Sequence, residues 1–350
     1  MVRISVTAIQ VYDQAGASDY KPITPSDFKT TAELSYLIKH MQNPLWKHLK
    51  NGHAPKGLRW LNTHRVVINP GYADLLEESG LDSIQGVILS KLGDVISTDS
   101  KQEENEVRRI EVSYQGKSRV FYLKFYYNHI FEKIWGRALR GSLVGRSMVR
   151  AEYENLEKLA SWGLRIPQLV AWGDHRFAGG VIHAFIITEE IPQAMGVDYL
   201  ASDWFDQQSK TVREQKKAEL ITETALAVKR MHAHGFEHHD LFLRNMMVSG
   251  QDMAKLYIMD APRAYIWPAF IMRKRRDFDL ATLDAAATQV FSRSQRMRFM
   301  HIYLGRKQLT DNDKRLVRKV MQRAQPMRDR QIKRLERSIA VDENGKPTSC

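Results

Sequence analysis

The chain has 350 residues, with 53 Lys+Arg against 40 Asp+Glu, a formal net charge of +13, and 43% hydrophobic against 27% charged residues. That balance is too apolar for a disordered chain, and the length suits one large domain or two lobes. A single cysteine, Cys350, excludes an intrachain disulfide and a Cys-based zinc site; no run of eighteen apolar residues reads as a membrane span, and MVRISVTAIQVYDQ lacks an unbroken secretory core, so the chain is expected in the cytoplasm.

Residues 1–84 carry Pro22, Pro25, Pro44, Pro55 and Pro70 and only short helical patterns such as TTAELSYLIKHM, which predicts an N-terminal extension packed on the main body. From Gly86 the pattern predicts strands: GVILS, EVRRIEVSY and SRVFYLKFYY, the last two joined by a hairpin turn at Gln115-Gly116-Lys117. A polar stretch, Thr98 to Asn105, reads as an exposed loop. RSMVRAEYENLEKLASWG has helical spacing, with Leu156 and Leu159 on one face and Gly163 as its stop. VIHAFIITEE predicts another strand. TVREQKKAELITETALAVKRMHAHG predicts a long helix whose buried stripe is Ile221, Ala225, Val228 and Met231 and whose end is Gly235. Beyond Asp277 the chain reads as helical. The expected architecture is α+β and two-lobed, with a small antiparallel-sheet lobe over 85–191, a helical lobe over 192–340 and a tail over 341–350. Ligands often bind in the cleft between two such lobes.

The chemistry concentrates in HGFEHHDLFLRNMMV, residues 234–248, and LYIMDAPRA, residues 256–264. A polar loop with His238, Asp240 and Asn245 leads into a strand, a turn and a second strand ending on Asp260. Such a hairpin can bring Asp240, Asn245 and Asp260 together. Two carboxylates and an amide oxygen are hard groups that suit Mg²⁺ and a substrate hydroxyl, not zinc. The spacing Asp-x4-Asn, with an Asp fifteen residues later at a strand end, is the pattern of the kinase catalytic and metal-binding loops. Lys124 lies inside the apolar strand FYLKFYY, alternating with Tyr122 and Tyr126, and lysine is rarely buried without a partner. Glu152 shares the inward face of its helix with Leu156 and Leu159, so the two are expected to pair, as kinases pair a lysine that holds the nucleotide phosphates. FIITEEIP reads as a strand entering a hinge, with Thr188 at its nucleotide-proximal end and Glu189 to Ile191 offering backbone groups to adenine. Asp279, after a basic run, is expected to open a helix as an N-cap or to support the catalytic-loop backbone. Taken singly, each residue has a local explanation: a turn Asp, an edge-strand Lys, a buried strand, a cap. Their order along the chain favours the functional reading.

That ordered set, YLK, RAEYENLEKLASWGLRIPQLVAWG, FIITEE, HGFEHHDLFLRN and IMDAPRA, resembles the lipopolysaccharide kinase family, bacterial kinases that phosphorylate inner-core heptose or Kdo. The resemblance runs over about residues 85–310. Its most specific parts are the spacing of GLRIP, the loop HHDLFLRN and an Asp-x-x-Arg-Ala motif in place of Asp-Phe-Gly. RRDFDLATLDAAATQVFSRSQRMRFMHIYLGR is similar to the family's Asp-Leu helix and the arginine-rich helix ending in Tyr-x-Gly. The resemblance implies a protein-kinase-like fold, Asp240 as catalytic base, Asn245 and Asp260 as Mg²⁺ ligands, and Lys124 as phosphate anchor with Glu152 as its partner. It implies ATP and Mg²⁺ as cofactors and a lipid-linked or phosphorylated glycan as acceptor. The chain departs from protein kinases in having only Gly93 in the phosphate-covering segment LSKLGDVIS, and in lacking an Ala-Pro-Glu segment and a long activation loop.

The basic clusters RALRGSLVGRSMVR, IMRKRR and residues 314–337 suit an anionic acceptor, or peripheral contact with anionic lipid on the inner face of the inner membrane, although each also fits a solvated helix face. A small-molecule phosphotransferase of the aminoglycoside or choline type is the second reading; its acidic acceptor pocket fits the positive charge poorly. A catalytically inactive kinase-like scaffold is the third, and the presence of Lys124, Asp240, Asn245 and Asp260 argues against it. No nucleic-acid partner is expected, because no recognition helix or RNP-type signature is present.

Overall fold

The computed structural model describes residues 62–90, 92–98, 105–127, 146–177, 180–200, 204–250 and 252–339. The expected helix TTAELSYLIKHM, most of the expected extension, the stretch 137–145 of the first basic cluster and the tail lie outside the described residues.

The described residues form two compact units. The first is built on most of a six-stranded sheet, of whose strands residues 117–122, 169–170 and 187–189 fall in the second unit. Its elements in chain order are β1 (Asn62–Ile68), α1 (Ala73–Glu78), α2 (Ile84–Leu89), β2 (Asp94–Thr98), β3 (Asn105–Tyr114) and β4 (Lys117–Tyr127), followed, beyond helix α3 (Met148–Ser161), by β5 (Leu169–Phe177) and β6 (Gly180–Glu189). The strand order is β1-β5-β6-β4-β3-β2. Between β3 and β4 the expected hairpin forms: Gln115 and Gly116 both have positive φ, 50° and 74°, the geometry a two-residue turn needs to follow strand twist. Strand alternation in β4 buries Phe121 and Leu123, each 1% exposed, and turns Tyr122 and Lys124 to the other face. β1 lies antiparallel to β5 with His64 opposite His175 and Ile68 opposite Ala171.

One predicted strand is a helix. GVILS falls in α2, where the Ser83 side chain accepts the Gly86 N–H at 3.0 Å and Ile84 and Val87, three apart, are buried while Leu89 faces solvent. Gly86 is required there by crowding, since a Cβ would stand 2.0 Å from the Gly80 carbonyl oxygen.

The second unit is mainly helical. It holds α3, β7 (Ala194–Gly196), α4 (Lys210–Ala233), β8 (Phe236–Glu237), β9 (Met246–Ser249), β10 (Asp252–Ile258), β11 (Tyr265–Ile266), α5 (Ala269–Ala287), α6 (Arg293–Leu304) and α7 (Asp311–Ile339). The α4 stripe is as expected: Ile221, Ala225, Val228 and Met231 are at most 5% exposed, and α4 packs against α6 while α5 packs against α7. Two small sheets, β10-β9-β7 and β11-β8, frame the loop that follows α4. Among the described residues no helix is long and apolar enough to cross a membrane.

Candidate active site

The loop after α4 is shaped by what stops the helix. Gly235 takes φ +75°, and its Cα lies so close to the Trp267 carbonyl that a Cβ would be 2.1 Å from that oxygen. The chain then pairs as β8 with β11, Tyr265 opposite Glu237 and Ile266 opposite Phe236, before opening into residues 238–242. Here Asp279 is decisive. It does not open a helix; α5 starts ten residues earlier, behind Pro268, and the Asp279 side chain is fully buried. Its two oxygens accept the backbone N–H groups of His238 and His239 at 2.7 and 2.9 Å. His232 approaches the same carboxylate at 3.3 Å through Nε2, and its Nδ1 lies 2.8 Å from the Tyr303 hydroxyl oxygen. Burial alone would raise the Asp279 carboxyl, but the hydrogen bond and charge of His232, with the His238 N–H, hold it below the usual range. Burial pushes the Tyr303 hydroxyl up to about 12. Asp279 therefore stays ionised as an acceptor for loop backbone.

Two hydrogen bonds tie this segment to the turn carrying Asp260, and a third braces it internally. Asn245 donates its Nδ2 to the Asp240 carbonyl at 2.8 Å, its own carbonyl accepts the Met259 N–H at 2.9 Å, and His238 Nε2 donates to the Met259 carbonyl at 3.2 Å. Burial lowers the His238 imidazole while the carboxylates of Asp279, Asp260 and Asp240 all act on it in the opposite sense. From the other side, buried Asn155 on α3 donates to the Ala261 carbonyl at 2.8 Å. His239 and Asp260 both sit at positive φ, +67° and +57°, conformations that a non-glycine residue adopts at a cost of roughly 1 kcal/mol or more and that cluster at functional sites. With Nδ2 donating to the Asp240 carbonyl, Oδ1 is the acceptor end of the Asn245 amide. An amide oxygen and a carboxylate, such as those of Asn245 and Asp260, are hard donors of the type that could hold Mg²⁺. The Asp240 side chain is 28% exposed, with the Arg244 guanidinium 3.7 Å away. Such a group can accept a hydroxyl proton from solvent-borne substrate.

The remaining predicted residues are placed as follows. Lys124 stands half-buried on β4. Glu152 is 2% exposed on the inward face of α3, with Leu156 and Leu159, whereas Glu157 is exposed. At the end of β6, Thr188 is half-buried and Ile191 buried. The Glu189 and Glu190 N–H groups are already engaged, with the Gln168 and Val120 carbonyls at 2.9 Å each, so neither is an open donor to a base. Glu189 also grips Arg119 through both oxygens.

Residues 97–303 match the model of the lipopolysaccharide kinase (Kdo/WaaP) family. The chain belongs to that family. Within it, the chain is 26% identical over 182 residues to the lipopolysaccharide core heptose(I) kinase WaaP of Pseudomonas aeruginosa, covering 49% of this chain and 66% of that protein, just under two thirds. It is 26% identical over 211 residues to the WaaP of Escherichia coli K12, covering 58% and 76% of the two chains. A solved structure of WaaP in complex with acyl carrier protein superposes with a TM-score of 0.54 at 20% identity, over 75% of this chain and 98% of that one, which shows the kinase-like fold. The sequence-based assignment to this kinase family and its mixed α/β fold is borne out.

Three residues of the site escaped the sequence reading: His232, Tyr303 and Asn155. A signal existed for Tyr303, in the Tyr-x-Gly ending of α6. His232 and Asn155 act through contacts more than 40 residues away, which spacing does not encode.

Proposed function

We propose that this member of the lipopolysaccharide kinase family is an ATP- and Mg²⁺-dependent enzyme that transfers the γ-phosphoryl group to a sugar hydroxyl, heptose or Kdo of the lipopolysaccharide inner core. The observation that supports the reading is the joining of the Asp240 loop to the Asp260 turn, by the Met259 N–H to the Asn245 carbonyl and by His238 Nε2 to the Met259 carbonyl, with Asn245 Nδ2 bracing the Asp240 carbonyl. In this reading Asp240 receives the acceptor hydroxyl's proton, Asn245 and Asp260 are the metal ligands, and Lys124, with Glu152, meets the nucleotide phosphates. Bound Mg²⁺ neutralises charge on the phosphates. The chain's own contribution is placement: Asp279 fixes the backbone on which Asp240 stands, and Asn155 fixes the turn behind Asp260. Phosphoryl transfer asks a protein for positioning and charge neutralisation more than for covalent chemistry, so this set is sufficient. A net charge of +13 suits an anionic glycan acceptor and an anionic lipid surface.

The test is phosphate transfer from ATP to purified lipopolysaccharide core, with an aminoglycoside and no acceptor as controls. Asp240→Asn is expected to lower kcat by about 10²–10⁴-fold with the Km for ATP little changed, the size of a lost general base. Asp260→Ala is expected to abolish Mg²⁺-dependent thermal protection by ATP. Core-dependent turnover surviving both substitutions would sink the assignment.

A further inference from the structure

A group of residues beside Asp240 has no part in the reading above. Glu237 is a fully buried carboxylate; its Oε2 accepts the Trp267 indole N–H at 2.7 Å and the Arg275 Nε–H at 2.6 Å. The Arg275 guanidinium also lies 4.9 Å from the Trp267 ring centroid. Trp267 is thus held in one orientation by a buried anion and a cation. Tyr265 stacks on it, centroids 5.7 Å apart and planes 29° from parallel, and its ring reaches within 6.0 Å of His239, the residue preceding Asp240. Tyr265 is nevertheless 54% exposed. Arg263, in the turn two residues before it, is exposed, and so is Arg244, whose guanidinium is 3.7 Å from the Asp240 carboxylate.

We infer that Tyr265, backed by Trp267, is the platform on which the acceptor sugar lies, with Arg263 and Arg244 receiving its anionic groups; the inference rests on the kinase reading of Asp240. An aromatic face carries partial negative charge and attracts the polarised C–H groups of a sugar ring, while its edge shields little of the hydroxyls that must remain free to react. A rigid ring loses little entropy on binding, and the Trp267 ring behind Tyr265 is fixed in advance by Glu237 and Arg275. The neighbouring Ile266 and Phe270 are also exposed, at 47% and 69%, which raises membrane contact as the competing use of this surface. A bilayer-facing ring has no need of a buried carboxylate built to orient it, and the Tyr265 ring is turned towards His239, so the sugar is favoured.

The test uses the full chain, with delipidated inner-core oligosaccharide as probe, titrated calorimetrically without ATP. Tyr265→Ala is expected to weaken binding about tenfold, Tyr265→Phe to stay close to wild type, and neither to change thermal protection by MgATP or co-sedimentation with phosphatidylglycerol–phosphatidylethanolamine vesicles. Unchanged oligosaccharide affinity in Tyr265→Ala, loss of vesicle binding alone, or absence of oligosaccharide binding by the wild type would each overturn the platform. Wild-type protein that binds the oligosaccharide through Tyr265 but never phosphorylates it would overturn the kinase reading and leave the platform standing.

Discussion

A single buried carboxylate organises the candidate site, and its geometry sets what substitution should do. Asp279 accepts two backbone N–H groups at once, from His238 and His239, with no solvent to replace it. Asp279→Ala strands both donors, and each buried unsatisfied group costs about 1–3 kcal/mol, so a loss of about 3–5 kcal/mol in urea unfolding is expected. Asp279→Asn keeps one acceptor oxygen but turns an NH₂ towards the second N–H, and is expected to recover less than half of that loss. Tyr303→Phe removes only the outermost link, the hydroxyl to His232, and is expected to destabilise by about 1 kcal/mol. Equal stability in Asp279→Ala and wild type would refute the clamp. The aspartate was visible in the sequence, its position in the helix was not. A basic run before Asp279 reads as the approach to a helix start, whereas the helix begins at Ala269, directly after the N-cap Pro268, and the apolar Met272 already faces the core. Asp240, Asn245 and Asp260 were legible because one hairpin carries all three within 21 residues; Asn155 was not, because its partner Ala261 is 106 residues away.

At the scale of elements, the turns were read most reliably where a glycine leaves no alternative, and two glycines separate the reasons. Gly116 has φ +74° with nothing within 4 Å of where a Cβ would stand, so Gly116→Ala meets only the left-handed backbone penalty, about 1–2 kcal/mol. Gly235 has the same φ, but its Cβ would collide with the Trp267 carbonyl oxygen, whose residue also donates its N–H to the Gly235 carbonyl at 2.8 Å. Gly235→Ala must therefore part β8 from β11, and is expected to cost more than about 3 kcal/mol and to weaken acceptor use, since β11 carries Tyr265. Similar midpoints of urea unfolding for the two variants would refute the collision. The period-2 pattern of β4 and the 3.6-residue stripe of α4 were equally legible, being long. GVILS was not: so short an apolar run satisfies either period, and the deciding contacts, the Ser83 cap and the approach of Gly86 to Gly80, involve residues before the run.

The molecule as a whole is basic, and acid should act on it through two routes that salt can separate. Lowering the pH adds positive charge from up to twelve histidines to a chain already at +13, which raises self-repulsion. The other route is local. In the first unit, Asn62 on β1 bonds His64 and His175, and His175 Nδ1 meets His183 Nδ1 at 3.0 Å. Since His175 Nε2 faces the Asn62 carbonyl oxygen it must be the N–H, so its Nδ1 accepts and His183 donates; every histidine in this chain of bonds fits as neutral. Asn62 and His175 lie 113 residues apart and meet only through the β1–β5 register, which composition cannot foretell. Burial, with the charge of His64, lowers His183 to about 4 from 6.5. Between those values the unfolded chain binds a proton that the folded one refuses, so this residue's contribution is complete above pH 6.5 and is lost as pH falls towards 4, by about 3 kcal/mol. Mobile ions screen the surface repulsion but not a buried ring. Urea midpoints measured from pH 4 to 7.5 in high salt should therefore keep a fall below pH 6.5 in the wild type, and His183→Asn, which can still donate to His175, should flatten it. An unaltered pH profile in that variant would assign acid sensitivity to net charge alone.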